Sequence, residues 1–208
     1  MPIKIKLTVG ERDVPLDLPS TVEEVTLEQY FEFQDAYNRN KENDKQHLVA
    51  LDTVSAFFGF DPEDLLGNQL SPKKIEGFDN AIMPIFYHIV RLFNTYKFDT
   101  NPNKPYVIAG ENYYLPYTMF GQNSPTVSEA IEVLEIKRLL NTGTKDGRFT
   151  EAIKTAAILL RKKGEKLPLL QPDIDKFIED RVQYFAEVGI SMQAGLDSVF
   201  FSTITIWA

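Results

Sequence analysis

The sequence predicts an α+β fold that is mainly helical, with two β-hairpins each followed by helices. Three observations lead there. Two short segments alternate apolar and polar residues with the period of a strand, and each closes on Leu-Pro, at Leu18-Pro19 and Leu115-Pro116. A capping-box pattern follows each one, Thr26-Leu-Glu-Gln29 and Thr126-Val-Ser-Glu129. Beyond each box, apolar residues recur at the three- and four-residue spacing of a buried helical face.

In the first hairpin, Ile3, Ile5, Leu7 and Val9 point one way and the lysines the other. Glu11, Arg12 and Asp13 are expected to turn the chain before Val14, Leu16 and Leu18 alternate again. The helix opened by Thr26 runs to about Asn38, with Leu27, Tyr30, Phe31 and Phe33 among its apolar positions. A solvated loop from Asn38 to Asp44 precedes a helix from about Lys45 to Phe58, whose face is Leu48, Leu51, Val54 and Phe58, and Gly59 closes it. Asp61-Pro62 and Ser71-Pro72 each read as a cap followed by proline at the first helical position. Pro84 is expected to split or kink the next helix, after which Ile85, Phe86, Ile89, Val90 and Phe93 form a stripe.

The proline- and asparagine-rich segment from Asp99 to Pro105 is the best boundary, giving an N-terminal half, 1–98, and a C-terminal half, 99–208, or one continuous domain. Tyr106 to Pro116 forms the second, shorter hairpin around Gly110 to Asn112. The stretch from Ser124 to Pro168 is a helical pair. Val127, Ala130, Ile131, Leu134 and Leu140 line its first helix, which stops at Asn141 to Gly143. Asp146-Gly147 precedes the second, which buries Phe149, Ile153, Ala156, Ala157 and Leu160 and ends in Arg161 to Lys163 before Gly164. Those cations suit the negative end of a helix dipole. After an extended connector from Leu167 to Pro172, a helix spans about Asp173 to Val188, and Gly189 ends it. The last helix, Ser191 to about Trp207, places Met192, Leu196, Val199, Phe200, Thr203, Ile204 and Trp207 on one stripe. Matching features of the two halves are offset by about one hundred residues, as in a duplicated module, although hairpins and helix pairs are common enough to recur without one.

Composition narrows the function classes. A chain of 208 residues can bury a real core. Its formal net charge of -8 opposes nucleic-acid binding, which needs cations to neutralise phosphates. Without cysteine it has no thiolate nucleophile, disulfide or cysteine metal ligand. No apolar run reaches the roughly 18 residues of a membrane span, and the start of the chain lacks a signal-peptide core. A soluble protein of the cytoplasm is expected.

Catalytic patterns are missing from the sequence. His47 and His88 are far apart and neither has a carboxylate or second histidine at ligand spacing, so a metal is not expected. Glu129, Glu132 and Glu135 share a helical face that reads as solvated rather than cation-binding. There is no phosphate-cradling glycine loop and no nucleophile elbow, and no cofactor is expected. Tyr106, Tyr113, Tyr114, Tyr117 and Phe120 lack interleaved basic residues, so cross-strand packing fits them better than base or sugar stacking. The end of the chain says more. Phe200, Phe201, Ile204 and Trp207 lie on a helix that must bury both its sides in the core or meet a partner, another protein or a second copy.

Taken together, the Leu-Pro hairpin, the Thr26-Leu-Glu-Gln-Tyr30 helix start and the G-x-x-Y-x-L-P segment at 110–116 carry a resemblance. So do TVSEAIEVLEIKR, DGRFTEAIKTAAILLRKKGEKLP and the late pair Phe200-Phe201. The order resembles that of small proteins from the structural gene clusters of tailed bacteriophages of gut Bacteroidetes, the tail assembly chaperone-like proteins. The likeness lies chiefly in residues 106–201 and consists of helix starts and apolar spacings, so it transfers no site residues. It implies a non-enzymatic role in virion construction, in the virion or the host cytoplasm. The protein would bind a tail, portal or connector protein as a chaperone or as a structural component. The alternative is an enzyme whose carboxylates and His88 are gathered only by the fold.

Overall fold

Two strands of 7 residues open the chain in this computed structural model, β1 (Ile3–Val9) and β2 (Arg12–Leu18), paired antiparallel. The structure describes residues 1–9, 12–61, 72–98, 101, 104–115, 133, 135, 136, 138, 144–165 and 171–207, and for 8, 9, 12, 72–80, 171 and 203–207 the backbone alone. The chain divides into two units, Met1–Tyr96 and Lys97–Ala208. Each is mixed α+β and mainly helical, with its own small antiparallel sheet.

In the first unit the strand register places Val9 opposite Arg12, so Arg12 and Asp13 belong to β2 rather than to a turn. A two-residue connection matches the natural twist of paired strands and leaves them free to pair. The alternation then does what it should. Leu7, Leu16 and Leu18 are buried, while Lys4, Lys6, Asp13, Pro15 and Asp17 face out.

After a 3-10 turn at Val22–Glu24, α1 (Leu27–Arg39) starts on the expected capping box. The Gln29 amide donates to the Thr26 hydroxyl at 3.1 Å, and the Thr26 amide donates to the Gln29 side chain at 3.0 Å. The next helix, α2 (Gln46–Phe58), packs against α1 and against α3 (Pro72–Thr95). With helices on two sides it buries Val49, Ala50, Thr53, Ser55 and Phe57 besides Leu51 and Val54, and Leu48 falls on its exposed side. Gly59 adopts a left-handed φ of 70° and ends it. The helix expected from Asp61-Pro62 lies outside the described residues. Pro84 does not break α3, because it sits on the exposed side, where water can satisfy the carbonyl left by its missing N–H.

Rings fill the centre of this unit. Phe33 meets Phe93 at 5.1 Å, Phe57 at 6.3 Å and Phe86 at 6.1 Å, so one side chain of α1 touches both α2 and α3. His88 of α3 donates from Nε2 to the Pro19 carbonyl at 2.8 Å, which ties the helix to the end of the hairpin.

In the second unit β3 (Tyr106–Ile108) and β4 (Glu111–Tyr114) pair with Ile108 opposite Glu111. Ala109 and Gly110 between them both have positive φ, 49° and 80°, which is the type I′ geometry of a two-residue hairpin. The expected capping box at Thr126 and most of the helix after it lie outside the described residues. Val133, Glu135, Ile136 and Arg138 there are helical, and Val133 is buried.

The following helix, α4 (Lys145–Leu159), starts earlier than the glycine suggests, because Thr144 caps it by accepting from the Gly147 amide at 3.2 Å. Its end also differs. The helix stops at Leu159, and Arg161–Lys162 forms β5, which pairs with β4. Arg161 nevertheless donates back to the Leu160 carbonyl at 3.1 Å, so one of these cations does cap the helix. Two helices complete the unit, α5 (Gln171–Val188) and α6 (Met192–Trp207), separated by Gly189 at a φ of 69°.

Alanine is a poor occupant of a left-handed turn position, and asparagine is a good one. Ala109→Asn is therefore expected to stabilise the protein by about 1 kcal/mol. A urea titration checks this, as a higher midpoint at unchanged slope.

Candidate protein-interaction surface

Helix α6 carries the side chains singled out at the end of the sequence, and its geometry is built from its buried side. Ser191 caps it, accepting from the Ala194 amide at 3.2 Å. Met192, Ala194, Asp197, Ser198 and Ser202 are buried. The polar members of that set have partners inside the unit. The Tyr106 hydroxyl donates to the Asp197 carboxylate at 2.8 Å, Ser198 donates to the Ala194 carbonyl at 2.7 Å, and Ser202 donates to the Val199 carbonyl at 2.6 Å. Small residues on both α6 and α4, among them Ala152, Ala156 and Ala157, let the two helices pack closely.

This arrangement changes the expected stripe. Met192 is in the core, but Leu196, Val199 and Phe201 are only half-buried and Phe200 is 45% exposed. Asp197, Ser198 and Ser202 of α6 are held inside by their hydrogen bonds, and the Phe200 ring is left facing water. Phe200 is in contact with Phe98, ring centroids 4.2 Å apart. The side chains of Ile204 and Trp207 lie outside the described residues.

What holds the rest of this unit together is Arg181 of α5, 8% exposed. Its Nη1 donates to Glu165 at 2.9 Å and its Nη2 donates to the Leu160 carbonyl. The guanidinium also lies over the rings of Phe177, Phe185 and Tyr113, at 5.0, 5.3 and 5.4 Å. A planar cation can donate from its edge and stack on its faces at once, which lysine cannot do.

Glu165 also accepts from the Lys162 amide at 2.9 Å. Partial burial works to raise its pKa. The Lys162 amide and the Arg181 charge outweigh burial and hold the carboxyl below its ordinary value. Tyr113 moves the other way, raised by burial against the opposing pull of Lys162 and Arg181. Across the neighbouring strands Lys162 forms an ion pair with Glu111.

Glu135 pairs with Arg138 at 2.6 Å, while Glu129 and Glu132 are outside the described residues. Tyr106 and Tyr113 lie opposite each other on β3 and β4, both buried, and the Tyr113 ring packs edge-on against Phe185 of α5 at 5.4 Å. Tyr117 and Phe120 are outside the described residues. Among the described residues no cluster of three or more His, Asp or Glu converges as a metal site, and no helix is long and apolar enough to cross a membrane.

Sequence reading missed Arg181 because a charged residue in a helix is ordinarily solvated. The signal was present in its position, in line with Ile174, Phe177 and Phe185 on the buried face. No family model, curated protein or solved structure matches the chain.

Because its folded pKa is lowered, Glu165 adds stability that is complete above its unfolded pKa of about 4.3 and is lost as pH falls through the folded value. Glu165→Gln should accordingly flatten the fall in urea midpoint between about pH 5 and pH 3. Arg181→Met should cost about 2–3 kcal/mol at neutral pH, since it takes the countercharge from half-buried Glu165 and leaves that carboxylate and the Leu160 carbonyl with only the Lys162 amide and Arg161 as donors. A wild-type acid limb in the Gln variant would contradict this assignment.

Proposed function

We propose that this protein acts by binding another protein, with α6 as its principal contact. The observation that supports this reading is the orientation of that helix. Asp197, Ser198 and Ser202 are buried with hydrogen-bond partners while Phe200 is exposed beside Phe98. Half-exposed Leu196, Val199 and Phe201 extend the apolar area around it. An exposed aromatic ring with an apolar surround, presented on a helix, is the kind of anchor on which protein interfaces depend.

The resemblance to tail assembly chaperone-like proteins supplies the partner class: a phage tail, portal or connector protein, met in the virion or in the host cytoplasm. Phe201, Ile204 and Trp207 belong to the same proposed surface. A chaperone would use it to cover an apolar face of the tail protein until assembly. A virion component would keep it occupied.

Mass spectrometry of purified particles separates the two. Presence at fixed copy number marks a component, and absence from particles, with a complex containing a tail protein in infected cells, marks a chaperone. Phe200→Asp should abolish retention of the tail, portal or connector protein while leaving the thermal melt within a degree or two of wild type. Retention unchanged in that variant would remove α6 from the interface. A wild-type protein that purifies as a monomer and retains none of these proteins would overturn the reading.

A further inference from the structure

The first hairpin has one closed edge and one open edge. Val9 and Arg12 face each other across a two-residue connection, which makes them a hydrogen-bonded pair. Antiparallel pairs alternate, so Leu7–Val14, Ile5–Leu16 and Ile3–Leu18 are also hydrogen-bonded, and the pairs between them are not. The backbone N–H and C=O groups of Lys4, Lys6 and Thr8 therefore point away from β2, and those of Asp13, Pro15 and Asp17 point away from β1.

On β2 the middle outward position is Pro15, which has no N–H, and Asp13 and Asp17 flank it. That edge is blunted in the way natural sheets blunt edges. On β1 all three outward residues keep their donor. Among the described residues no other strand pairs with it.

The apolar face shows the same asymmetry. Leu16 and Leu18 on β2 are 6% and 7% exposed, whereas Ile5 opposite Leu16 is half-buried and Ile3 opposite Leu18 is 47% exposed. Helix α3 packs on β1 but leaves this end of the strand uncovered. A further strand beside β1 would cover it.

We infer that the β1 edge accepts an extended segment of a partner protein in which acidic and apolar residues alternate. Charge selects that occupant. On the outer face Lys4 lies opposite Asp17, and Lys6 forms an ion pair with Asp13. Acidic side chains on an added strand would place each lysine between two carboxylates, while its apolar residues would extend the row of Ile3, Ile5 and Leu7.

A second copy fits less well. Pairing β1 with its own copy in antiparallel register sets lysine beside lysine, and pairing it with a copy of β2 meets the missing donor of Pro15. The inference concerns the first unit alone and stands whether or not Phe200 meets a partner.

The test is a titration of the nitrogen-15-labelled full chain with two peptides, acetyl-Thr-Glu-Val-Glu-Val-Glu-Thr-amide and the same peptide with lysine for glutamate. The acidic peptide should shift the amide resonances of Lys4, Lys6 and Thr8 more than those of Asp13 and Asp17, with an affinity that falls as salt is added. The lysine peptide should bind at least about tenfold more weakly. Lys6→Pro removes an outward donor without touching a ladder hydrogen bond, so it should abolish binding. If that variant fails to fold, the double variant Lys4→Glu with Lys6→Glu carries the test, because it should reverse the preference between the peptides. No shift with the acidic peptide, equal shifts with both, or shifts confined to the Asp13–Asp17 edge would each overturn the inference. So would a dimer of the free protein whose interface maps to β1.

Discussion

The second unit depends on one guanidinium. Its sheet has strands of 3, 4 and 2 residues, far too short to be stable by their own pairing. Arg181 compensates by joining elements that strand hydrogen bonds cannot reach. From α5 it holds Tyr113 of β4 by its face and the Leu160 carbonyl, at the junction of α4 and β5, by its edge, with Glu165 balancing its charge. Phe177 and Phe185 of the same helix close the other sides. Burying a charge is costly unless it is paired and hydrogen-bonded, and here Glu165 and the Leu160 carbonyl partner the two Nη groups, while Nε is buried without a partner. The sheet, the end of α4 and the position of α5 are thus one coupled arrangement.

The first unit reaches the same end by apolar means. Phe33 touches rings from α2 and α3, and aromatic pairs at these separations favour particular edge-on and offset geometries. Such packing fixes the angle between helices more narrowly than aliphatic contacts would. The hairpin rests on α3 through Leu7 and its neighbours, and the His88 bond to Pro19 stops the helix sliding along it. One unit is organised by a buried cation and the other by edge-on and stacked aromatic rings.

What the sequence made legible follows from how local each determinant is. The capping box at Thr26 needs only four consecutive residues, and it formed as read. Strand alternation in 3–18 was equally local, although the turn between the strands proved tighter than the polar residues implied. The strand Arg161–Lys162 could not be seen, because two basic residues after a helix look like a dipole cap and become a strand only when β4 lies beside them. Arg181 was missed for a similar reason, since Tyr113, Glu165 and the Leu160 carbonyl, which give it its role, lie on other parts of the chain. In α6 the apolar stripe was plain, yet the tyrosine that draws Asp197 inward lies 91 positions away. Long-range polar pairing therefore decides which side of that helix meets water, and periodicity alone does not carry that information.

The order of elements along the chain gives Pro15 a second consequence, in time rather than in space. The hairpin leaves the ribosome well before α3, the helix on which its apolar face comes to rest. A hairpin forms in microseconds, while synthesis of the intervening segment takes several seconds at about 5–20 residues per second. For that interval Leu7, Leu16 and Leu18 lie uncovered on a nascent chain, often beside other chains emerging from the same message. A strand pair with two open edges would then be a template for joining neighbours into a continuous sheet. With one edge closed by Pro15 and fenced by aspartates, strand-to-strand growth stops after a single addition, and the chain reaches α3 still able to fold alone.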